Sequence, residues 1–196
     1  MGWMVAVIIL VVVVGVPVWV YNALVQAKNQ YQNAFAQIEV QLKRRYDLIP
    51  NLVESAKAYL QHENQTLVAV TQARNQAVSA LQAAHQSQNA SALAAVSVGE
   101  AQLQQALKGL QIQLEAYPEL QASANLQQLS EDISSTENRV AFARQAYNDA
   151  VLHYNTTRQS FPYVLLAGFF AHNQDAALLQ FADSDAIQAA PKINLR

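Results

Sequence analysis

The stretch QLKRRYDLIPNLV, Gln41–Val53, interrupts what otherwise reads as one long helix. Lys43, Arg44 and Arg45 precede a Tyr46-Asp47 pair, an apolar Leu48-Ile49 pair and Pro50. If the chain turns here, the body holds four helices; if a kinked helix runs on through Pro50, it holds three. The three basic side chains point in three directions, about 100° apart on a helix, so they make no single polyanion patch. At a corner they sit in the last turn of the first helix, where cations complement the C-terminal end of the helix dipole. Asp47 then caps the second helix, Leu48 and Ile49 staple the bend, and Pro50 lies in a first turn where its missing N–H has no partner. On this reading Arg45, Asp47 and Pro50 form a structural corner.

Upstream of the corner lies MGWMVAVIILVVVVGVPVWVYNALV, with no charged side chain before Lys28. Residues 3–22 rise about 30 Å as a helix, the thickness of a bilayer core. Trp3 and Trp19 stand near the two ends, where amphipathic rings meet the membrane interface. The stretch is longer than a signal-peptide core and has no basic start, so residues 1–22 read as an uncleaved single-pass anchor. Lys28 follows the apolar run and nothing basic precedes it, which favours a cytoplasmic body. Lys43 falls about 35 Å beyond the bilayer if the helix stays upright, past the reach of lipid headgroups.

The composition narrows the class. The 196 residues carry a net charge of −2 and no cysteine. Overall charge gives no support to nucleic-acid binding, and disulfides and thiolate metal sites are excluded. Five glycines, five prolines and 25 glutamines describe a helix-forming chain with a polar, weakly charged surface. Apolar residues recur at spacings of three and four in four runs, and no strand-like alternation is convincing. The expected fold is all-α: an N-terminal transmembrane helix, then an antiparallel four-helix bundle over 23–160. Its helices are expected at about 23–47, 48–86, 90–117 and 119–160, with Asn89 or Ser91 capping the third and Pro118 in the first turn of the fourth. Gly99 and Gly109 lie inside the third helix, where they permit close packing. Residues 161–196 form an apolar segment and a loosely held tail.

Motifs for catalysis are missing. His62-Glu63 lacks the second histidine of a zinc-protease helix, and no Glu-x-x-His pair suits a di-iron bundle. There is no Gly-rich phosphate loop and no nucleophile elbow. The four histidines read as surface or hydrogen-bonded structural residues. No enzymatic activity, cofactor or metal is expected.

Four stretches together resemble the LemA family of bacterial membrane-anchored proteins: Tyr21–Glu63; ENRVAFARQAYNDAVLHYNTTRQSFP, Glu137–Pro162; VLLAGFF after it; and APKINL near the C-terminus. The middle, residues 77–135, matches in periodicity alone. The resemblance implies one N-terminal transmembrane helix, a bromodomain-like four-helix bundle and no defined reaction. It implies a bacterial envelope location, here the inner (plasma) membrane. The segment after Pro162 is less basic than the family pattern.

Two further features invite a role. Tyr147-Asn148 and Tyr154-Asn155 repeat at a seven-residue step, so both pairs share one stripe. They read either as core residues that fix helix register or as a partner-docking stripe. Arg45 continues the apolar seam of Ile38, Leu42 and Ile49, where a charge needs a carboxylate; Asp47, Glu54 and Asp149 are the expected partners. Phe161, Leu165, Phe169 and Phe170 lie in an apolar run too short to span a bilayer, a candidate contact with the bundle, a neighbouring subunit or the membrane. The functional expectation is a non-enzymatic, membrane-anchored scaffold or self-assembling envelope protein that acts through helix-bundle contacts as a homo-oligomer, since Ala- and Gln-rich faces carry few charges to repel a neighbour. The alternative is an adaptor for another envelope protein such as a protease or sensor.

Overall fold

A computed structural model describes residues 2–57, 60, 64–117 and 123–181. The described residues contain no strand. Four long helices carry the fold: α1 (Gly2–Lys57), α2 (Asn64–Gln86), α3 (Ala90–Glu115) and α4 (Ala124–Gln159). A single turn, α5 (Tyr163–Leu166), and a 3₁₀ turn, Ala167–Phe170, follow. His62, Glu63, Pro118, the expected start of the fourth helix at Glu119 and the APKINL stretch lie outside the described residues.

The N-terminal part of α1 is apolar on every side. Its best 18-residue window has a mean hydropathy of 2.8 and is only 6% buried. The β-branched run Val11–Val14 and Pro17 are poor helix formers in water. An apolar medium reverses the balance, because a helix satisfies nearly every backbone group internally.

The expected corner at Asp47–Pro50 is not there: α1 continues through it to Lys57, which is the basic residue of its last turn. The physical reason comes from α2. Pro50 has no N–H, so the Tyr46 carbonyl four residues earlier loses its helical donor. The Arg74 Nε donates to that carbonyl at 3.2 Å. The break between first and second helices therefore falls after Lys57, and Asp47 and Pro50 are exposed residues inside α1.

The chain divides into two compact units. The first comprises the described residues of 39–142 and 178–181 and contains a helical bundle built from the C-terminal part of α1, α2, α3 and the first half of α4. Glu39 meets His85 while Tyr46 meets Arg74, so α1 and α2 run antiparallel. Ala77 lies against Gly99, at similar distances from the Ser87–Asn89 connection, so α2 and α3 form a hairpin. Ser55 meets Asn125, which sets α4 antiparallel to α1. Asn89, not Ser91, caps α3: its Oδ1 accepts from the Ala92 N–H at 2.8 Å. A Cβ on Gly99 would stand 3.1 Å from the Ala77 Cα, so this glycine sets the approach of α2 and α3; a Cβ on Gly109 meets nothing within 4 Å. Leu42, Ile49, Leu52, Val70, Leu93, Val96, Leu103, Leu110 and Val140 are all buried here. Each such aliphatic side chain contributes about 1.5–3 kcal/mol by leaving water.

The second unit comprises residues 2–38 and 143–177. Leu24, Phe35 and Ile38 of α1 and Tyr147, Val151 and Tyr154 of α4 are buried. Rings hold the two helices together: Phe35 and Tyr31 meet Tyr147 edge-on at 5.7 and 6.4 Å, and Tyr31 meets Tyr154 at 5.2 Å. Such tilted contacts suit the positive edge and negative face of aromatic rings. Beyond Phe170 the chain turns at Ala171, which adopts a left-handed conformation with φ 58°, and runs back as a strap to Ala177.

Candidate functional site

Two polar constellations stand out, one in each unit. In the bundle, Arg45 and Glu100 are both about 4% exposed, an unusual burial for opposite charges. The Arg45 Nη1 donates to Glu100 Oε2 at 2.9 Å, and the Tyr46 hydroxyl donates to Oε1 at 2.6 Å. The carboxylate partner of Arg45 is thus Glu100 of α3, and not Asp47, Glu54 or Asp149. Glu137 adds a second, half-exposed carboxylate 4.0 Å from Arg45 Nη2 and accepts from the Gln104 amide at 2.9 Å. Burial pushes the Glu100 carboxyl above its ordinary range, Arg45 and the Tyr46 hydrogen bond pull it down, and Glu137 adds to the upward push. Burial raises the Tyr46 phenol, assisted by the Glu100 charge.

Beside this pair lies a cleft of about 240 Å³ lined by Arg45, Gln104, Lys108, Ser130, Ser134 and Glu137 among others. It falls below the ~300–1,000 Å³ usual for small-molecule sites. Both Glu100 oxygens are occupied by donors, which leaves this carboxylate engaged in structure. The arrangement ties α1 to α3.

In the other unit the Tyr-Asn stripe of α4 holds the strap. Asn155 grips the main chain of Ala176 from both sides: its amide donates to the Ala176 carbonyl at 3.0 Å and its Oδ1 accepts the Ala176 N–H at 2.8 Å. The Tyr147 hydroxyl donates to the Ala177 carbonyl at 2.8 Å, and the Tyr154 hydroxyl pairs with His172 Nδ1 at 2.9 Å. Arg158 and Gln159 both reach the Asp175 carboxylate. These two donors hold Asp175 below its ordinary pKa, while burial and then Lys28 lower His172. Asn148 is half-buried on the same helix. The surface that could have docked a partner through Tyr147, Tyr154 and Asn155 is therefore taken by the chain's own residues 172–177.

The apolar segment divides by face. Tyr163, Leu166, Ala167 and Phe170 pack on Val20 and Leu24 of α1. Tyr163 meets Trp19 in a tilted contact at 5.1 Å and Phe170 meets Tyr21 edge-on at 5.3 Å. Phe161, Val164, Leu165 and Phe169 point away and are 78%, 51%, 62% and 84% exposed. Trp3 is exposed at the other end of the apolar stretch.

Reasoning from sequence missed Glu100, Tyr46, Arg74, His172 and Asp175. Glu100 carried a usable signal, since it falls on the α3 seam between Val96 and Leu103 and so matches a buried arginine on α1. The strap residues follow no period and gave none.

The model of the LemA family matches residues 34–195. A relative described as Protein LemA, from Metamycoplasma hominis, is 26% identical over 162 residues, 77% of this chain and 67% of that protein. The family match spans both units, from the α1 seam through the buried charge pair to the strap, and on that basis the chain belongs to the LemA family.

Proposed function

We propose that this chain is a single-pass, membrane-anchored, non-enzymatic scaffold that works through contacts of its helical bundle with further copies of itself. The observation that carries the reading is α1: about 20 apolar residues, exposed on every side, run without a break into the first helix of the body. An anchor confines copies to two dimensions and raises their effective concentration, which favours weak lateral contacts. Only 13% of residues are charged, so little like-charge repulsion opposes such contacts. Lys28, just past the apolar stretch, favours a cytoplasmic bundle at a bacterial plasma membrane. The buried Glu100, with a donor on each carboxylate oxygen, supports a structural role for the charged cluster over a catalytic one.

Extraction from native membranes in mild detergent, followed by mass measurement of the particle, tests this. The expected result is a particle of several copies of this chain alone. A monomer would refute the self-association, and a second polypeptide in stoichiometric amount would replace the scaffold by an adaptor.

A further inference from the structure

We propose that residues Phe161–Phe169 form a second membrane contact, a short interfacial foot that dips into the headgroup region beside the anchor. The inference rests on the reading of α1 as a membrane anchor.

Position is the first argument. A span that starts at Trp3 and rises about 30 Å ends near Asn22. The inner face of the foot packs on Val20 and Leu24, which lie within about one helical turn of that boundary. Tyr163 against Trp19 and Phe170 against Tyr21 make an aromatic group at the same level, the composition found where membranes meet water.

Chemistry is the second. From Ser160 to Gln174 the chain carries no Asp, Glu, Lys or Arg. Its outward side chains, Phe161, Val164, Leu165 and Phe169, are more than half exposed; the foot joins the exposed apolar surface of Val16, Val18 and Trp19 through the Tyr163–Trp19 contact, and residues 1–27 are also free of charged side chains. A lipid surface is the occupant this continuity favours, because the bilayer that covers the anchor ends where the foot begins. The strap then returns to polar contacts at His172 and Asp175, which limits the apolar patch to the foot.

The chain has no cysteine, so single cysteines report cleanly. Full-length chain with Leu165→Cys or Phe169→Cys, labelled with an environment-sensitive fluorophore, is placed in phosphatidylcholine–phosphatidylglycerol vesicles. Doxyl-labelled phospholipids then quench by depth. Val12→Cys controls for the anchor, and Phe142→Cys, an exposed bundle position, controls for water. The expected result is blue-shifted emission at 165 and 169, at least twofold quenched by shallow-labelled lipid, with position 12 quenched by deep-labelled lipid and position 142 by neither. Water-like emission at 165 and 169 with position 12 still quenched would overturn the foot and leave the anchor standing. Blue-shifted emission that no doxyl lipid quenches would assign the patch to a protein neighbour and also overturn it. Loss of quenching at position 12 would refute the anchor itself, and the foot with it.

Discussion

The donation from Arg74 to the Tyr46 carbonyl makes a sharp test, because it explains why a proline inside α1 does not end the helix. Pro50→Ala restores an N–H at position 50 that can reach the Tyr46 carbonyl. It is expected to stabilise the bundle by about 1–3 kcal/mol, within the known penalty of an interior proline. Arg74→Met keeps most of the aliphatic stem but removes the donor. In the presence of Pro50 it leaves a part-buried carbonyl without a partner, at a cost of about 1–1.5 kcal/mol; the 3.2 Å length argues for the low end of the range. In the Pro50→Ala background the carbonyl already has its helical partner, so Arg74→Met is expected to cost about 0.3 kcal/mol or less. The second Arg74 hydrogen bond, to exposed Asn75, is present in both backgrounds and cancels. The double-mutant cycle should therefore yield a coupling of about 1 kcal/mol, or roughly 2–4 °C in melting temperature for a body of this size. Circular dichroism at 222 nm during denaturant unfolding in mild detergent measures it. Equal Arg74→Met costs in the two backgrounds would refute the account of the uninterrupted helix.

Other outcomes follow from the same packing. Arg45→Ala should lower stability by about 3 kcal/mol because it strands Glu100, whereas Arg45→Met with Glu100→Leu should return to within about 1 kcal/mol of the parent in the same unfolding assay. Gly109→Ala should stabilise by about 0.5–1 kcal/mol through helix propensity, while Gly99→Ala should destabilise, since its Cβ meets the Ala77 backbone; two melting curves decide the ordering. Docking of the strap should weaken on acidification. The docked His172 has a lowered pKa, so as pH falls through about 6.5 the undocked strap takes up a proton that the docked one resists. Asp175 stays ionised through this range because Arg158 and Gln159 hold it down. Amide exchange of residues 172–177, corrected for intrinsic rate, should quicken between pH 7.5 and 5.5, and His172→Gln should remove the dependence.

The helical seams could be read directly from spacing, since Leu24, Phe35, Ile38 and Leu42 are all buried as their period requires. Arg45 stood out for the same reason: a charge on a seam is visible in one dimension. Its partner was also within reach, because Glu100 breaks the seam of α3 in the matching way. The corner was misplaced because local rules treat Pro50 as a helix boundary, and the donor that overrides them comes from Arg74 on another helix. The Tyr-Asn repeat was recognisable as a special surface, but not its occupant. A strap held by main-chain carbonyls needs no particular side chains at Ala176 and Ala177, so the sequence there carries no complementary mark.

The pairing of α1 with α4 also has a consequence for biosynthesis. Phe35 emerges from the ribosome roughly 110 residues before Tyr147, an interval on the order of ten seconds at ~5–20 residues per second. The local hairpin of α2 and α3 can close during that wait, but the seam of Leu24, Phe35 and Ile38 has no partner until α4 is made. For those seconds every nascent chain displays an apolar helical stripe, and two polysome-bound neighbours displaying the same stripe can meet each other before either meets its own α4.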